Sequence, residues 1–467
     1  MADVSESALP VATVGLAALI QPHCDESLAA DVRGGSRPGP HAMNAASAPD
    51  RALRLCSKAI EVAPFPPERL LAMAGEPTAA FIGPGGDAWV GLGAVRWLAA
   101  GHDAVAELWA GLCDESPDAP APVALGAMPY RADEAPDPLW HGLMPGGVML
   151  PERLYVQKGT RAWWRLTVPV NEAAMLPARL AQERTLLATL APVEALPLPS
   201  FRPMDEGASP QRYTHAVARA IECIRRGELV KVVLARRCAV AFDTPPSSAA
   251  VLARLGARHP DCVRYAWRRG GKTWLGATPE TLVRLDGRTV RTEALAGTRT
   301  SERASELLAS AKDRHEHAIV IDALRHAIAP LACALPPARE PVLRRLRGLA
   351  HLQTVVEATL RDDVDFLLLV RALHPTPAVC GLPADRAASL LAALESEPRG
   401  LYAGPFLRLS ACGDGHAVVS LRGAVLDRRI AVMPAGAGIV AGSDSDEELA
   451  ETRAKQCAVI DALRGDV

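Results

Sequence analysis

The chain predicts an α+β fold built on mainly antiparallel sheets. Three observations carry that prediction. Helix-period and strand-like segments are mixed without strict βαβ alternation. No segment repeats at a fixed period. The 467 residues are 49% hydrophobic and 22% charged, enough to bury a large core.

The clear elements lie in the second half. Tyr213 to Arg226 has a helical stripe of Ala216, Val217, Ala220, Ile221 and Ile224. Gly227 ends it, and Leu229 to Phe242 reads as a strand. Trp274-Leu-Gly-Ala and Leu282-Val-Arg-Leu read as a hairpin-like pair around Thr278-Pro-Glu280. Ser310 to Leu331 predicts a strong helix. Val418 to Leu421 and Arg429 to Met433 predict paired strands, and Ser445 to Leu463 a final helix. Residues 1–55 are rich in Ala, Pro, Gly and Ser and are expected to be loosely ordered. Residues 56–200 form an N-terminal part, interrupted by a Pro-rich stretch at Pro117 to Pro122. A second Pro-rich break, Leu196 to Pro203, separates it from residues 205–465.

Composition narrows the function. A net charge of −2 suggests neither nucleic acid nor an anionic membrane as partner. The apolar run Val11 to Ile20 is too short to span a bilayer. It follows Asp3 and Glu6 with no Lys or Arg, which is wrong for a secretory signal. The ten cysteines include no CxxC pair, so reduced thiols in a cytoplasmic protein are expected.

Lys231 is the most informative residue. Of 51 Lys plus Arg, only six are lysines. Arginine stays protonated and is a poor base, whereas a desolvated lysine can lose its proton. Lys231 sits among Val and Leu in a strand, where an amine is costly without a role. Glu280, on a tight turn, reads either as surface decoration or as a general acid on a rigid scaffold. Glu316 shares a helical stripe with Val320, Ala323 and Ala327, so it must be paired, protonated or bound to a cation. The surrounding His315-Glu-His317 does not suit zinc, because adjacent helical residues point apart.

In the last helix Glu448, Glu451, Lys455 and Val459 fall on one face. Glu448 also fits a capping box with Ser445. Glu451 and Lys455 read either as an i,i+4 ion pair or as site residues. Carboxylates from two helices, without thiolates, suit Mg²⁺. The glycines of Ala435-Gly-Ala-Gly-Ile-Val440 let backbone amides approach an anion. Arg422 can grip a carboxylate bidentately.

Taken in order, these segments resemble the chorismate-utilising enzymes. They are Lys231-Val-Val-Leu-Ala-Arg236, Gly276-Ala-Thr-Pro-Glu280, Leu295-Ala-Gly-Thr298, Lys312-Asp-Arg-His-Glu-His317 and His351-Leu-Gln-Thr354. Then follow Leu373-His-Pro-Thr-Pro-Ala378, Ser420-Leu-Arg422, the Gly-rich stretch and the Glu448/Glu451/Lys455 helix. The resemblance covers residues from about 205 onward. It implies one large domain of two large sheets layered with helices.

The resemblance also implies roles. Lys231 is the base that activates water against C2 of chorismate, and Glu280 the acid that protonates the departing C4 hydroxyl. Glu316, Glu451 and Glu448 hold Mg²⁺. Gly297, Thr298, His351, Ala378, Tyr402, Arg422, Gly436 and Lys455 line the substrate pocket. Relatives that add ammonia typically lack this lysine and use a glutaminase partner, so water addition without a glutaminase subunit is expected. Isochorismate synthase is the implied activity, in a monomer or weak homo-oligomer. The product would feed a siderophore, salicylate or menaquinone route. A salicylate synthase is the nearest alternative, and a non-catalytic subunit of the same fold is the alternative from another class. The sequence departs from the family after Tyr402-Ala-Gly404, where Pro405-Phe-Leu-Arg-Leu409 replaces a Gly-Trp element, and at Pro434.

Overall fold

The computed structural model describes residues 54–464, apart from 74, 101–104, 136, 191–197, 208 and 347–348. Residues 1–53, and with them nearly all of the expected loose segment, lie outside the described residues. Ladder pairing links twenty-one strands, and every pair but one is antiparallel among the described residues.

The strands form two layers that branch from one long ribbon. The strands Ala88–Ala99 and Gly147–Lys158 pair along their whole length, with a register shift between Ala94 and Arg96. One end of Gly147–Lys158 takes Arg161–Pro169 as its second neighbour; the other end takes Val123–Ala127. The shift marks where the ribbon leaves one layer for the other, since an extra residue bends and twists a strand. The first layer runs through Thr78–Ile82, Val263–Arg269, Lys272–Thr278, Gly423–Asp427 and Ile430–Ile439 to Lys231–Phe242. The second runs through Val123–Ala127, Pro405–Ser410, Gly415–Val419, Thr281–Asp286 and Thr289–Thr300 to Leu349–Leu360.

Alternating side chains build two cores from these strands. Ala79 and Phe81 join one cluster, Ala80 and Ile82 the other. The first cluster lies between the layers. Phe81 and Tyr265 from one layer meet Phe406 from the other, at ring distances of 6.4 and 5.3 Å. The second lies under helices, filled by Leu176 and Leu180 from Leu176–Ala188, Val251 and Leu255 from Ser248–Arg258, and Val459 and Leu463 from Ser445–Leu463.

Three local expectations change. The runs around Trp274 and Leu282 do not pair with each other; each pairs within a different layer. The turn between them carries the chain across the gap. Val418 and its neighbours likewise do not pair with Arg429–Met433, because the strand Gly423–Asp427 intervenes. At the last helix the N-cap is Asp444, whose carboxylate accepts the amides of Asp446 and Glu447 at 3.0 and 3.1 Å, in place of Ser445. The helix Ala311–Ile328 opens at Ser310 as expected, with Ser310 Oγ accepting the Asp313 amide at 3.1 Å.

Phe406 belongs to the segment that departs from the family pattern, and it is fully buried between the layers. Phe406→Ala is expected to cost about 3–5 kcal/mol, measured as a lowered midpoint in urea denaturation.

Candidate active site

Two short connections carry the chain between the layers side by side. Residues 278–281 join the strand ending at Thr278 to the one starting at Thr281. Residues 419–423 make the return crossing from Val419 to Gly423. The amide of Val419 donates to Glu280 O at 3.0 Å, and that of Ala277 to Arg422 O at 3.2 Å. Each crossing therefore holds the other. Glu280 and Arg422 come from these crossings. Arg422 has a φ of 51°, a left-handed conformation unusual for a non-glycine residue. Tyr265 Oη bonds the carbonyl of Leu421 at 2.9 Å beside it.

A cavity opens at these crossings. Lys231, Glu280, Gly297, Thr298, Glu316, His351, Ala378, Tyr402, Arg422, Gly436, Glu451 and Lys455 all line it. Glu448 does not. It lines an adjoining cavity, which shares Thr298, Glu316, Gly438 and Glu451 with the first.

Lys231 is 1% exposed, and its Nζ lies 2.8 Å from Glu316 Oε1. The strand places the lysine and the Ala311–Ile328 helix brings the carboxylate, so the buried charge has a partner. Lys455 Nζ lies 2.8 Å from both Glu451 Oε1 and Gly436 O. The i,i+4 pair read from the sequence therefore exists, and it stands inside the cavity.

Glu280 is buried, and burial pushes its pKa from 4.5 to about 7, against the opposing pull of Lys455, Lys231 and Arg422. A carboxyl with that value is protonated about half the time near neutrality. His351 is held well below its ordinary range, by burial first and then by Arg422 and Lys455. Its tautomer follows from its partners. Arg422 Nη2, 2.9 Å from His351 Nε2, can only donate, so the proton sits on Nδ1, 3.1 Å from Gly297 O. Among the described residues, Arg422 Nη1 is buried with no hydrogen-bond partner. A buried guanidinium donor left open in a cavity fits an anionic group.

The glycine-rich stretch offers backbone to the same space. Pairing of Ile430–Ile439 with Gly423–Asp427 ends at Val432. Beyond that point, among the described residues, no strand pairs with this edge. Across the other edge, the amides of Val233 and Ala235 bond away from the strand, to Cys380 O and Glu395 Oε1, each at 2.8 Å. Gly438 and Gly436 stand opposite them, so these are non-hydrogen-bonded pairs. The Gly436 and Gly438 amides therefore turn away from that strand toward the cavity, where the Gly436 backbone hydrogen-bonds the Tyr402 hydroxyl. A Cβ on Gly438 would meet Glu316 Oε1 at 2.8 Å and Lys231 Cε at 3.1 Å.

Glu316, Glu448 and Glu451 supply only carboxylate oxygens, a donor set that fits a hard cation such as Mg²⁺. Among the described residues, no three acidic, His or Cys side chains already stand at ligand spacing. Glu316 and Glu451 each engage a lysine instead.

Sequence reasoning missed several lining residues, among them Val233, Val379, Arg399 and Leu421, and named Gly438 only as part of the glycine-rich stretch. Arg399 follows Pro398 in a loop with no periodicity to mark it. Gly438 had a signal, as the second glycine of the alternating pair. Among the described residues, no helix is long and apolar enough to cross a membrane.

Known proteins place this architecture. The family described as chorismate binding enzyme matches residues 85–464. A salicylate biosynthesis isochorismate synthase of Pseudomonas aeruginosa is 39% identical over 269 residues, 56% of this chain and 56% of that protein. The isochorismate synthase DhbC of Bacillus subtilis is 36% identical over 273 residues, 55% of this chain and 69% of that protein. The chain thus aligns with little more than half the length of the Pseudomonas relative. The solved structure of MenF, the menaquinone-specific isochorismate synthase of Escherichia coli, superimposes with a TM-score of 0.74 at 26% identity, covering 88% of this chain and 95% of that one. With a family match over most of its length and the same fold as a solved relative, the chain belongs to the chorismate binding enzymes.

Proposed function

We propose that the chain is a Mg²⁺-dependent isochorismate synthase, converting chorismate to isochorismate by adding water at C2 and releasing the C4 hydroxyl. The observation that carries this reading is the buried Glu280, with a pKa of about 7, lining the same cavity as the buried Lys231. Hydroxyl exchange needs a group that takes a proton from water and a group that gives one to the departing oxygen. Lys231 Nζ serves as the base in its neutral amine form, still able to donate to Glu316 Oε1 at 2.8 Å, which orients it. Protonated Glu280 serves as the acid. Water gains a bond to C2, the ring double bond shifts, and the C4–O bond breaks. One proton enters the amine and one leaves the carboxyl, so the protein resets by passing a proton between them.

The chain's own cations suit a substrate with two carboxylates. Arg422 Nη1 has an open donor, and Lys455 stands across the glycine-rich edge. Glu316, Glu448 and Glu451 would hold Mg²⁺, which when bound supplies positive charge beside a carboxylate. The names of the isochorismate synthase relatives agree with this reading. A cytoplasmic protein that works without a glutaminase subunit follows from the same assignment.

Purified protein given chorismate and Mg²⁺ is expected to form isochorismate, seen by chromatography. EDTA should abolish turnover and Mg²⁺ restore it. Salicylate plus pyruvate as the main product would instead make the protein a salicylate synthase, and no product would leave a binding subunit.

Lys231→Ala and Glu280→Gln should each lower kcat by about 10²-fold or more with an unchanged circular dichroism spectrum. Near-normal turnover in either removes that residue from the mechanism.

Glu280 also sets a pH dependence. Its folded pKa is raised, so the folded state keeps a proton that the unfolded state releases above 4.5. Its contribution to stability is therefore full below 4.5 and is lost as pH rises through about 7. Denaturation of the unsubstituted protein should show that loss between about pH 4.5 and 7, and Glu280→Gln should flatten it. An equal pH dependence in both proteins would mean that Glu280 is not the buried acid.

A further inference from the structure

Arg399 lines the cavity at 3% exposure, and its guanidinium nitrogens are bonded to Glu395, Val379 and Val233. Nε donates to Glu395 Oε2 at 2.8 Å, Nη1 to Val379 O at 2.6 Å, and Nη2 to Val233 O at 2.6 Å. Glu395 Oε1 accepts the Ala235 amide at 2.8 Å. The guanidinium lies over the Tyr130 ring, 4.4 Å from its centroid. The Arg399 carbonyl in turn accepts the amide of Tyr402 at 3.0 Å.

These bonds complete an unfinished sheet. On this edge, among the described residues, the Lys231–Phe242 strand has ladder neighbours only at its two ends: Leu382 and Gly381 opposite Lys231 and Val232, and Phe201–Pro203 opposite Val240–Phe242. The amide of Val233 still reaches Cys380 O at 2.8 Å. Past it, Val233 O and the Ala235 amide have no strand to meet. The Arg399–Glu395 pair takes both, standing where a strand would otherwise run. One side chain thereby ties the strand of Lys231 to the 378–379 wall and to the turn that carries Tyr402.

We propose that Arg399 is a positioning residue for the reaction, fixing Lys231 against the Ala378–Val379 wall; this rests on the functional reading above. It acts on the chemical step. The cationic donors open to a substrate, Arg422 Nη1 and Lys455 Nζ, stand on the 419–423 crossing and the last helix, and none of the bonds of Arg399 reaches them. Lysine would keep the charge, but a point charge cannot reproduce the fork to two carbonyls and a carboxylate.

Arg399→Lys tests this. Its kcat, per folded protein, should fall about 10²-fold, as expected when a reacting group is displaced by about 1 Å. KM should stay within about threefold. Amide exchange should rise in the segments 231–235 and 376–382. A merely structural role would lower the melting temperature and the folded fraction while leaving kcat per folded site unchanged, and that result overturns the proposal. If Arg399→Lys does not fold, Glu395→Gln with Arg399→Gln removes both buried charges and carries the same comparison. Failure of both to fold also overturns it, because Arg399 would then serve folding alone. An unsubstituted protein that forms no product from chorismate sinks the functional reading by itself. Amide exchange then decides for Arg399, with unchanged exchange in both segments counting against it.

Discussion

The site depends on the two chain crossings between the sheet layers. Residues 278–281 and 419–423 leave one layer and enter the other at the same place, bonded to each other through Val419 N with Glu280 O and Ala277 N with Arg422 O. At a crossing the backbone belongs to neither ladder, so its side chains project into the gap between layers. Much of that gap is filled by an apolar cluster that includes Phe81, Tyr265 and Phe406. A carboxyl and a guanidinium here are costly unless they face polar partners or a ligand. Close approach of the crossings restricts Gly276 too. A Cβ there would sit 2.8 Å from Arg422 O and 2.4 Å from Tyr265 Oη. The glycine, the left-handed Arg422 and the buried tyrosine are thus parts of one constraint.

The cavity separates the roles of its ionisable groups by environment. Glu280 has three cations among its neighbours, yet its pKa rises, because full burial outweighs their pull. Glu316 and Glu451 differ in having a lysine within 2.8 Å. Burial thus governs Glu280, while Glu316 and Glu451 are each partnered by a lysine. His351 is kept neutral by the same burial and by Arg422, and its Nε2 lone pair is taken up by that guanidinium. It orients Arg422 and has no proton to give on that side.

The sequence revealed the site more fully than the topology. Lys231 stood out because a rare lysine lay in an apolar strand, and Glu316 because it headed an apolar helical stripe. Both are properties of single elements, readable at period 2 or 3.6. The partners of strands are not. The Trp274 and Leu282 runs looked like a hairpin because a short Pro-containing turn joins them. A short connection fits a crossing between packed layers equally well, and only long-range pairing decides. The strand Gly423–Asp427 was missed because five residues beside a glycine carry little signal. Arg399 was invisible for a related reason. Its partners are backbone carbonyls far from it in the chain, and no periodicity marks such a residue. At the last helix, Ser445 and Asp444 both suit an N-cap, and the side chain one residue earlier took the place.

Pro434 shows how a departure from the family pattern can be absorbed by topology. Proline in a central strand normally loses a ladder bond. Here it stands opposite Arg237 in a pair of the same alternation as Gly436–Ala235 and Gly438–Val233, whose amides turn away from the neighbouring strand. On its other side, pairing with Gly423–Asp427 has already ended at Val432. The missing N–H therefore falls where no ladder partner exists. The next two amides in that alternation belong to Gly436 and Gly438, which face the cavity. Proline thus marks the point where the strand stops pairing on that edge and begins to line the cavity.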